Sequence, residues 1–141
     1  MKTKLLNFLS LFIVIIACFI VGIIIYWATY PYKPLVFNEP EFPVLTKVVK
    51  QGGILKYTSN YCKYNEVAPL VYRTFANDLV FSTPPQTTNR PMGCHVVTIA
   101  VLVPHELPPG VYHIENTFSF QMNPLRVITI KENSETFTVV E

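Results

Sequence analysis

The stretch Val111-Tyr112-His113-Ile114-Glu115-Asn116-Thr117-Phe118-Ser119-Phe120-Gln121 alternates along its whole length. Tyr112, Ile114, Phe118 and Phe120 share one parity, with Asn116 among them. Val111, His113, Glu115, Thr117, Ser119 and Gln121 share the other. A period of two with one apolar side predicts a half-buried β-strand. Toward the C-terminus, Asn123-Pro124 predicts a turn and Leu125–Lys131 a strand with Ile128 and Ile130 on one side. Glu132-Asn133-Ser134 predicts another turn, and Glu135–Val140 a closing strand carrying Phe137 and Val139.

Working toward the N-terminus, Leu107-Pro108-Pro109-Gly110 is a tight connection, and Cys94–Val103 is the most apolar strand, predicted to be central and ended by Pro104. Thr83–Gly93 is the longest polar loop, and loops on a rigid scaffold are where recognition concentrates. Before it come a short strand at Leu79–Ser82, a turn at Asn77-Asp78 and a strand at Leu70–Phe75 opened by Pro69. Ile54–Tyr64 is a further strand, and its imperfect alternation predicts a bulge or register change near Ser59. Gly52-Gly53 predicts a hairpin turn joining it to Val44–Gln51.

About seven to eight short strands with turn signals at roughly ten-residue spacing predict an all-β antiparallel sandwich over residues 44–141. The run Val-x-Val-Pro-x-x-Leu-Pro-Pro-Gly-x-Tyr from Val101 to Tyr112, the long alternating strand and the closing Phe-x-Val resemble the later strands of immunoglobulin-like sandwiches. The likeness covers about forty residues and is one of fold. It lacks the Cys…Trp…Cys set of antibody-type domains, because the single tryptophan is Trp27. It implies an Ig-like architecture and no particular activity.

Residues 5–30 have a different character. Leu5 to Ala28 contains no charged side chain. As a helix it rises roughly 36 Å at 1.5 Å per residue, enough to span a hydrocarbon core of about 30 Å with some tilt. Lys2 and Lys4 precede it and the next charge is Lys33, so residues 1–4 are predicted to be cytoplasmic and the C-terminal domain periplasmic or extracellular. Tyr26, Trp27, Tyr30 and Tyr32 cluster at the far end, where amphipathic rings favour the membrane interface. A cleaved signal requires a shorter apolar region and a small-x-small site, which Trp27-Ala28-Thr29 does not supply. Ile15-Ile16-Ala17-Cys18 resembles a bacterial lipobox, but the chain stays apolar through Trp27 instead of turning polar. Cys18 and Gly22 form one small-xxx-small pair through which two helices can approach, so a homo-oligomer through the helix is open. Residues 31–43 contain four prolines and predict a Pro-rich stalk, either free or partly packed on the domain through Leu35, Val36, Phe37 and Phe42.

The net charge of +2 is carried by Lys2 and Lys4, because the rest of the chain holds equal numbers of basic and acidic residues. A neutral domain has no electrostatic footprint for nucleic acid. Cys62 and Cys94 predict a disulfide if the domain faces an oxidising compartment; closing a loop of about 33 residues stabilises by about 3–4 kcal/mol. His95, His105 and His113 lie on separate segments, with His95 and His113 able to meet only across adjacent strands, short of the three or four ligands a metal needs. The serines have no nucleophile-elbow setting, and Ser119 and His113 are some 20 Å apart along an extended strand. No enzyme activity, metal or cofactor is therefore expected. Tyr57, Tyr61, Tyr64 and Tyr72 lie in imperfectly alternating strands and are either interface aromatics or core.

The expectation is a single-pass anchor with an extracytoplasmic binding or structural module, its partners being the lipid bilayer and another protein. A small anchor with a lone sandwich is similar to phage-encoded envelope proteins, which suggests a bacterial or viral source. Two alternatives have the same layout: a holin-like single-span lysis protein with a periplasmic domain, and an accessory subunit of a membrane complex. Only Asn7, Ser10, Cys18 and Gly22 offer polar or small positions along the helix, which argues against a pore. The intact mass of the membrane-extracted protein, alkylated with and without reduction, checks the anchor and the bridge together. The expected result is an unprocessed chain that takes up two more alkyl groups after reduction. A chain beginning at an acylated Cys18 overturns the anchor.

Overall fold

Alternation in the stretch around Tyr112 produces the longest strand of the molecule, and the larger of two sheets is assembled around it. The computed structural model describes residues 2–77 and 80–141. The elements are α1 (Lys2–Thr29), β1 (Leu35–Phe37), β2 (Glu41–Phe42), β3 (Val48–Lys50), β4 (Ile54–Lys63), β5 (Leu70–Ala76), β6 (Val80–Ser82), β7 (Gln86–Thr87), β8 (Gly93–Leu102), β9 (Gly110–Asn123), β10 (Arg126–Ser134) and β11 (Phe137–Val140). The protein is thus mostly β with one N-terminal apolar helix. Asp78 and Leu79, part of an expected turn and strand, lie outside the described residues.

β9 pairs antiparallel with β5, from Leu70 opposite Ser119 to Ala76 opposite His113, and with β11 through Phe137 opposite Tyr112. It also neighbours β10 in an eight-stranded sheet that includes β2, β3, β6 and β7. The second sheet has three strands in the order β1-β4-β8. Tyr112, Ile114, Asn116, Phe118 and Phe120 are all buried, as the alternation predicts. They meet Leu55, Tyr57, Ser59 and Tyr61 from β4, which are fully buried on one parity of the other sheet. Full burial of each such large apolar side chain stabilises by about 1.5–3 kcal/mol.

The sheets are mixed, and this corrects the purely antiparallel expectation. β2 runs parallel to β10, with Phe42 opposite Ser134, and β3 runs parallel to β11, with Val49 opposite Val139. Parallel neighbours need a long connection, and here most of the domain intervenes. Gly52-Gly53 is a tight turn, with the Gly53 amide donating to Lys50 O at 2.9 Å, but it is not a hairpin. It carries the chain from β3 in the larger sheet to β4 in the smaller one. The strand expected to end at Gln51 is shorter: Val44 makes only an isolated bridge to Tyr57.

Three further expectations are corrected. β4 has no bulge, because its ten residues pair one-to-one with β8 from Ile54–Leu102 to Lys63–Gly93. Ser59 breaks the apolar pattern because it bonds a buried carboxylate. Glu132-Asn133-Ser134 is not a turn but the end of β10, with Glu132 and Ser134 buried. Among the described residues β8 is not central but an edge strand, paired with β4 alone. Its sequence is apolar on both parities, yet Val96 and Leu102 are 67% and 62% exposed.

Two compact units divide the chain, one comprising the helix with Asn123–Arg126, the other the remaining β structure. From Phe8 to Thr29 the first unit's helix is long and apolar enough to cross a membrane, with a mean hydropathy of 3.3. Its last carbonyls would otherwise lack partners. The Arg126 guanidinium donates to Ala28 O at 3.1 Å and to Tyr30 O at 2.5 Å, and the Asn123 amide donates to Trp27 O at 3.1 Å. A cation at a helix C-terminus also complements the macrodipole. In the second unit the Pro-rich stretch contributes β1 and β2, with Leu35 and Phe42 buried.

Gly52 has φ of 70°, a conformation that costs a residue with a Cβ about 1–2 kcal/mol. A Cβ built there falls 2.0 Å from His105 Cε1, so the imidazole must also move. Gly52→Ala is expected to lower unfolding free energy by about 1–2 kcal/mol, read from a urea titration.

Candidate functional site

A polar network lies between the two sheets where an apolar core would ordinarily continue. Ser59 on β4 takes an inward position between Tyr57 and Tyr61, Asn116 on β9 one between Ile114 and Phe118, and both are fully buried. The Ser59 hydroxyl donates to Glu132 Oε1 at 2.6 Å and accepts from Arg90 Nη1 at 3.1 Å. The Asn116 amide donates to the Tyr57 hydroxyl at 3.1 Å and, more weakly, to Glu132 Oε2 at 3.4 Å. One buried serine therefore couples a buried cation to a buried anion.

Arg90 enters this network from the loop between β7 and β8. Its guanidinium carbon lies 4.6 Å from the ring centroid of Tyr61 and 4.8 Å from that of Phe118, with Phe37 at 6.0 Å. A planar cation between aromatic faces is attracted by their quadrupoles, worth about 2 kcal/mol or more when desolvated. Lys63 Nζ donates to Arg90 O at 2.9 Å and fixes the loop backbone as well. Thr83–Gly93 is thus a tethered connection, which the expected polar loop did not foreshadow. The visible signal was Asn116 at inward parity and the broken alternation near Ser59; nothing local marked Arg90 or Glu132.

Electrostatics follow from burial. Desolvation pushes the Glu132 carboxyl above its ordinary range, opposed by the Ser59 hydrogen bond, the Arg90 charge and Asn116. Burial pulls Arg90 down, with Glu132 the largest opposing influence, and pushes the Tyr57 hydroxyl up.

This network lies beneath an exposed surface. β8 presents Val96, Thr98, Ala100 and Leu102 to solvent. Beside it a groove of about 340 Å³ is lined by Ala100, Leu102, Pro104, Thr83, Pro84 and Arg73. The surface is shallow and uncharged apart from Arg73, whose Nη1 is engaged by Gln86 at 2.9 Å. It can bind by area and main-chain hydrogen bonding. It brings together no nucleophile and base.

Cys62 and Cys94 are bridged directly across β4 and β8, with Cα atoms 3.9 Å apart. Tyr26 and Trp27 occupy the last helical turn, and the Tyr26, Tyr30 and Tyr32 rings pack in sequence at 5.1 and 4.7 Å between centroids. The histidines do not converge. His95 on β8 bonds Met92 O at 2.7 Å, His113 lies opposite Ala76 in the other sheet, and His105 lies against Gly52. Among the described residues no group of three His, Cys, Asp or Glu side chains is placed to hold a metal. Tyr57 and Tyr61 are core residues, whereas Tyr64 and Tyr72 are 60% and 41% exposed. Neither a scan against protein-family models nor a search of curated proteins finds a match.

The native state holds the Glu132 proton more tightly than the unfolded chain does. Stability contributed by this group is therefore lost as pH rises from the usual carboxylate value of 4.5 through the raised native value. Glu132→Gln, measured by denaturant titration across pH, is expected to flatten that limb. Ser59→Ala leaves a guanidinium donor and a carboxylate acceptor unpaired, with an expected loss of about 1–3 kcal/mol at neutral pH.

Proposed function

We propose that this chain is a membrane-anchored interaction module, with an Ig-like β domain held outside the cytoplasm by an uncleaved N-terminal helix. The observation that carries the reading is the joining, in one chain, of a helix with an uncharged apolar span from Phe8 to Thr29 to a neutral, disulfide-bridged β domain. Disulfides persist in oxidising compartments, and Lys2 and Lys4 ahead of the apolar span favour a cytoplasmic N-terminus. Both arguments point the domain the same way from independent chemistry. The partner is another protein, engaged through the domain surface, and the source is a bacterial cell or a phage that infects one. The aromatic rings at Tyr26, Trp27, Tyr30 and Tyr32 lie at the outer interface, where their polar edges meet headgroups.

The test is topological. In spheroplasts expressing the full chain with Cys18→Ser, a membrane-impermeant maleimide is expected to label Asn89→Cys, an exposed position of the domain, and not Lys4→Cys. Labelling of Lys4→Cys alone overturns the orientation. Labelling of neither in spheroplasts, with both labelled after lysis, overturns the extracytoplasmic reading.

A further inference from the structure

We propose that β8 is a homotypic pairing edge: two copies of this chain join antiparallel through β8 into one continuous six-stranded sheet, β1-β4-β8 followed by the same three strands reversed. The proposal deepens the anchored-module reading and rests on it for the confinement of copies to one membrane.

The ladder shows which backbone groups are free. In an antiparallel pair, residues alternate between hydrogen-bonded and non-hydrogen-bonded positions, the latter with closer Cα atoms. Cys62 and Cys94, with Cα atoms 3.9 Å apart, occupy a non-hydrogen-bonded position. The Val103 amide donates to Gly53 O at 2.9 Å, so odd-numbered residues of this segment turn their amides and carbonyls toward β4. The even-numbered residues Cys94, Val96, Thr98, Ala100 and Leu102 turn theirs away. Among the described residues β8 has no second strand to receive them.

Edges of this length are ordinarily protected by charge, proline, a bulge or brevity. β8 has none of these. Its ten residues contain no Lys, Arg, Asp, Glu or Pro, and its register with β4 is unbroken. An undefended edge suits strand addition, in which main-chain bonds supply affinity.

The occupant follows from charge and symmetry. A two-fold axis at Thr98 gives the longest overlap of outward-facing residues. It pairs Thr98 with Thr98 of the second copy, Val96 with Ala100, and Cys94 with Leu102. Each such pair exchanges two hydrogen bonds, about ten in all. The odd residues then oppose Val97 to Ile99 and His95 to Val101, so no like charges meet. On the outer face Thr58 already lies opposite Thr98, and the axis extends this to a row of four threonines. Lys56 lies opposite Ala100, and in the paired sheet its row continues to Val96 and Asn60 of the second copy, away from the other Lys56. An isologous contact requires such self-complementarity. One strand edge is small beside a standard interface of about 1,600 Å², but confinement to a bilayer raises the effective concentration of copies.

The experiment uses the full chain in liposomes, where the copies stay confined, with protein mass measured by native mass spectrometry of complexes ejected directly from the bilayer. Wild type is expected to give twice the 16.1 kDa chain mass. Thr98→Lys, which places two ammonium groups on the axis, is expected to give the single-chain mass at the same concentration. In a Cys18→Ser background, Thr98→Cys is expected to be crosslinked to a second copy by a short bismaleimide, since a hydrogen-bonded pair holds its Cβ atoms about 5.5 Å apart, beyond direct disulfide geometry but within the span of the linker. Tyr72→Cys, comparably exposed on β5, is expected to remain uncrosslinked. A monomeric wild type overturns the proposal and leaves the edge to a strand of another polypeptide, while the maleimide pattern and the anchored-module reading stand. A dimer that survives Thr98→Lys, or equal crosslinking at positions 98 and 72, assigns the contact to the helix or elsewhere and likewise overturns it.

Discussion

The sheets are joined at their centre by an ionic connection that passes through a hydroxyl. Arg90 and Glu132 are both buried, and Ser59 bonds each of them. Removing either charge from water carries a penalty of several kcal/mol, which a neighbour of opposite sign offsets only with good geometry and further hydrogen bonds. Aromatic faces on Tyr61 and Phe118 attract the cation, and Asn116 and Ser59 satisfy the anion. Contributions come from β4, β9, β10 and the loop before β8. The network therefore specifies how two sheets and one connection align, where apolar side chains alone would tolerate small slips.

This network also shows where local reading succeeds and where it stops. Alternation through Tyr112, Ile114, Phe118 and Phe120 identified β9 and its inward face, because a period of two is local information. Asn116 stands among apolar residues of one parity, whereas Ser59 reads as a bulge, and their partner Glu132 lies 16 and 73 residues away in sequence. Glu132-Asn133-Ser134 has turn composition, and its inclusion in β10 is enforced by the partners of Glu132 and by the Ser134 hydroxyl, which accepts from the Ile114 amide at 2.7 Å. Arg90 lies in a stretch rich in Pro, Thr and Asn, where nothing nearby indicates burial.

Pairing partners were the least legible feature. Gly52-Gly53 correctly marks a reversal, but a turn signal does not say which sheet the following strand joins. β3 finds β11 and β4 finds β8, both far along the chain. Apolarity likewise fails to distinguish a strand covered on both sides from one with a free edge. β8 has the hydrophobicity of a central strand and, among the described residues, one neighbour. The N-terminal helix was the most legible element, because length and absence of charge suffice to define it.

The position of the disulfide has a mechanical consequence. The chain leaves the helix and enters the β domain through β1, whose Val36 lies directly opposite Cys62. If the helix is held in a membrane, as proposed, tension along the polypeptide falls first on a three-residue strand pair. One step beyond that pair the backbone is covalently stapled to Cys94. A pull strong enough to strain β4 is transmitted to β8 through a sulfur–sulfur bond, without depending on the hydrogen bonds between them. The staple lies where a domain pulled from its N-terminal side first bears load, so detachment of β1 need not open the ladder behind it.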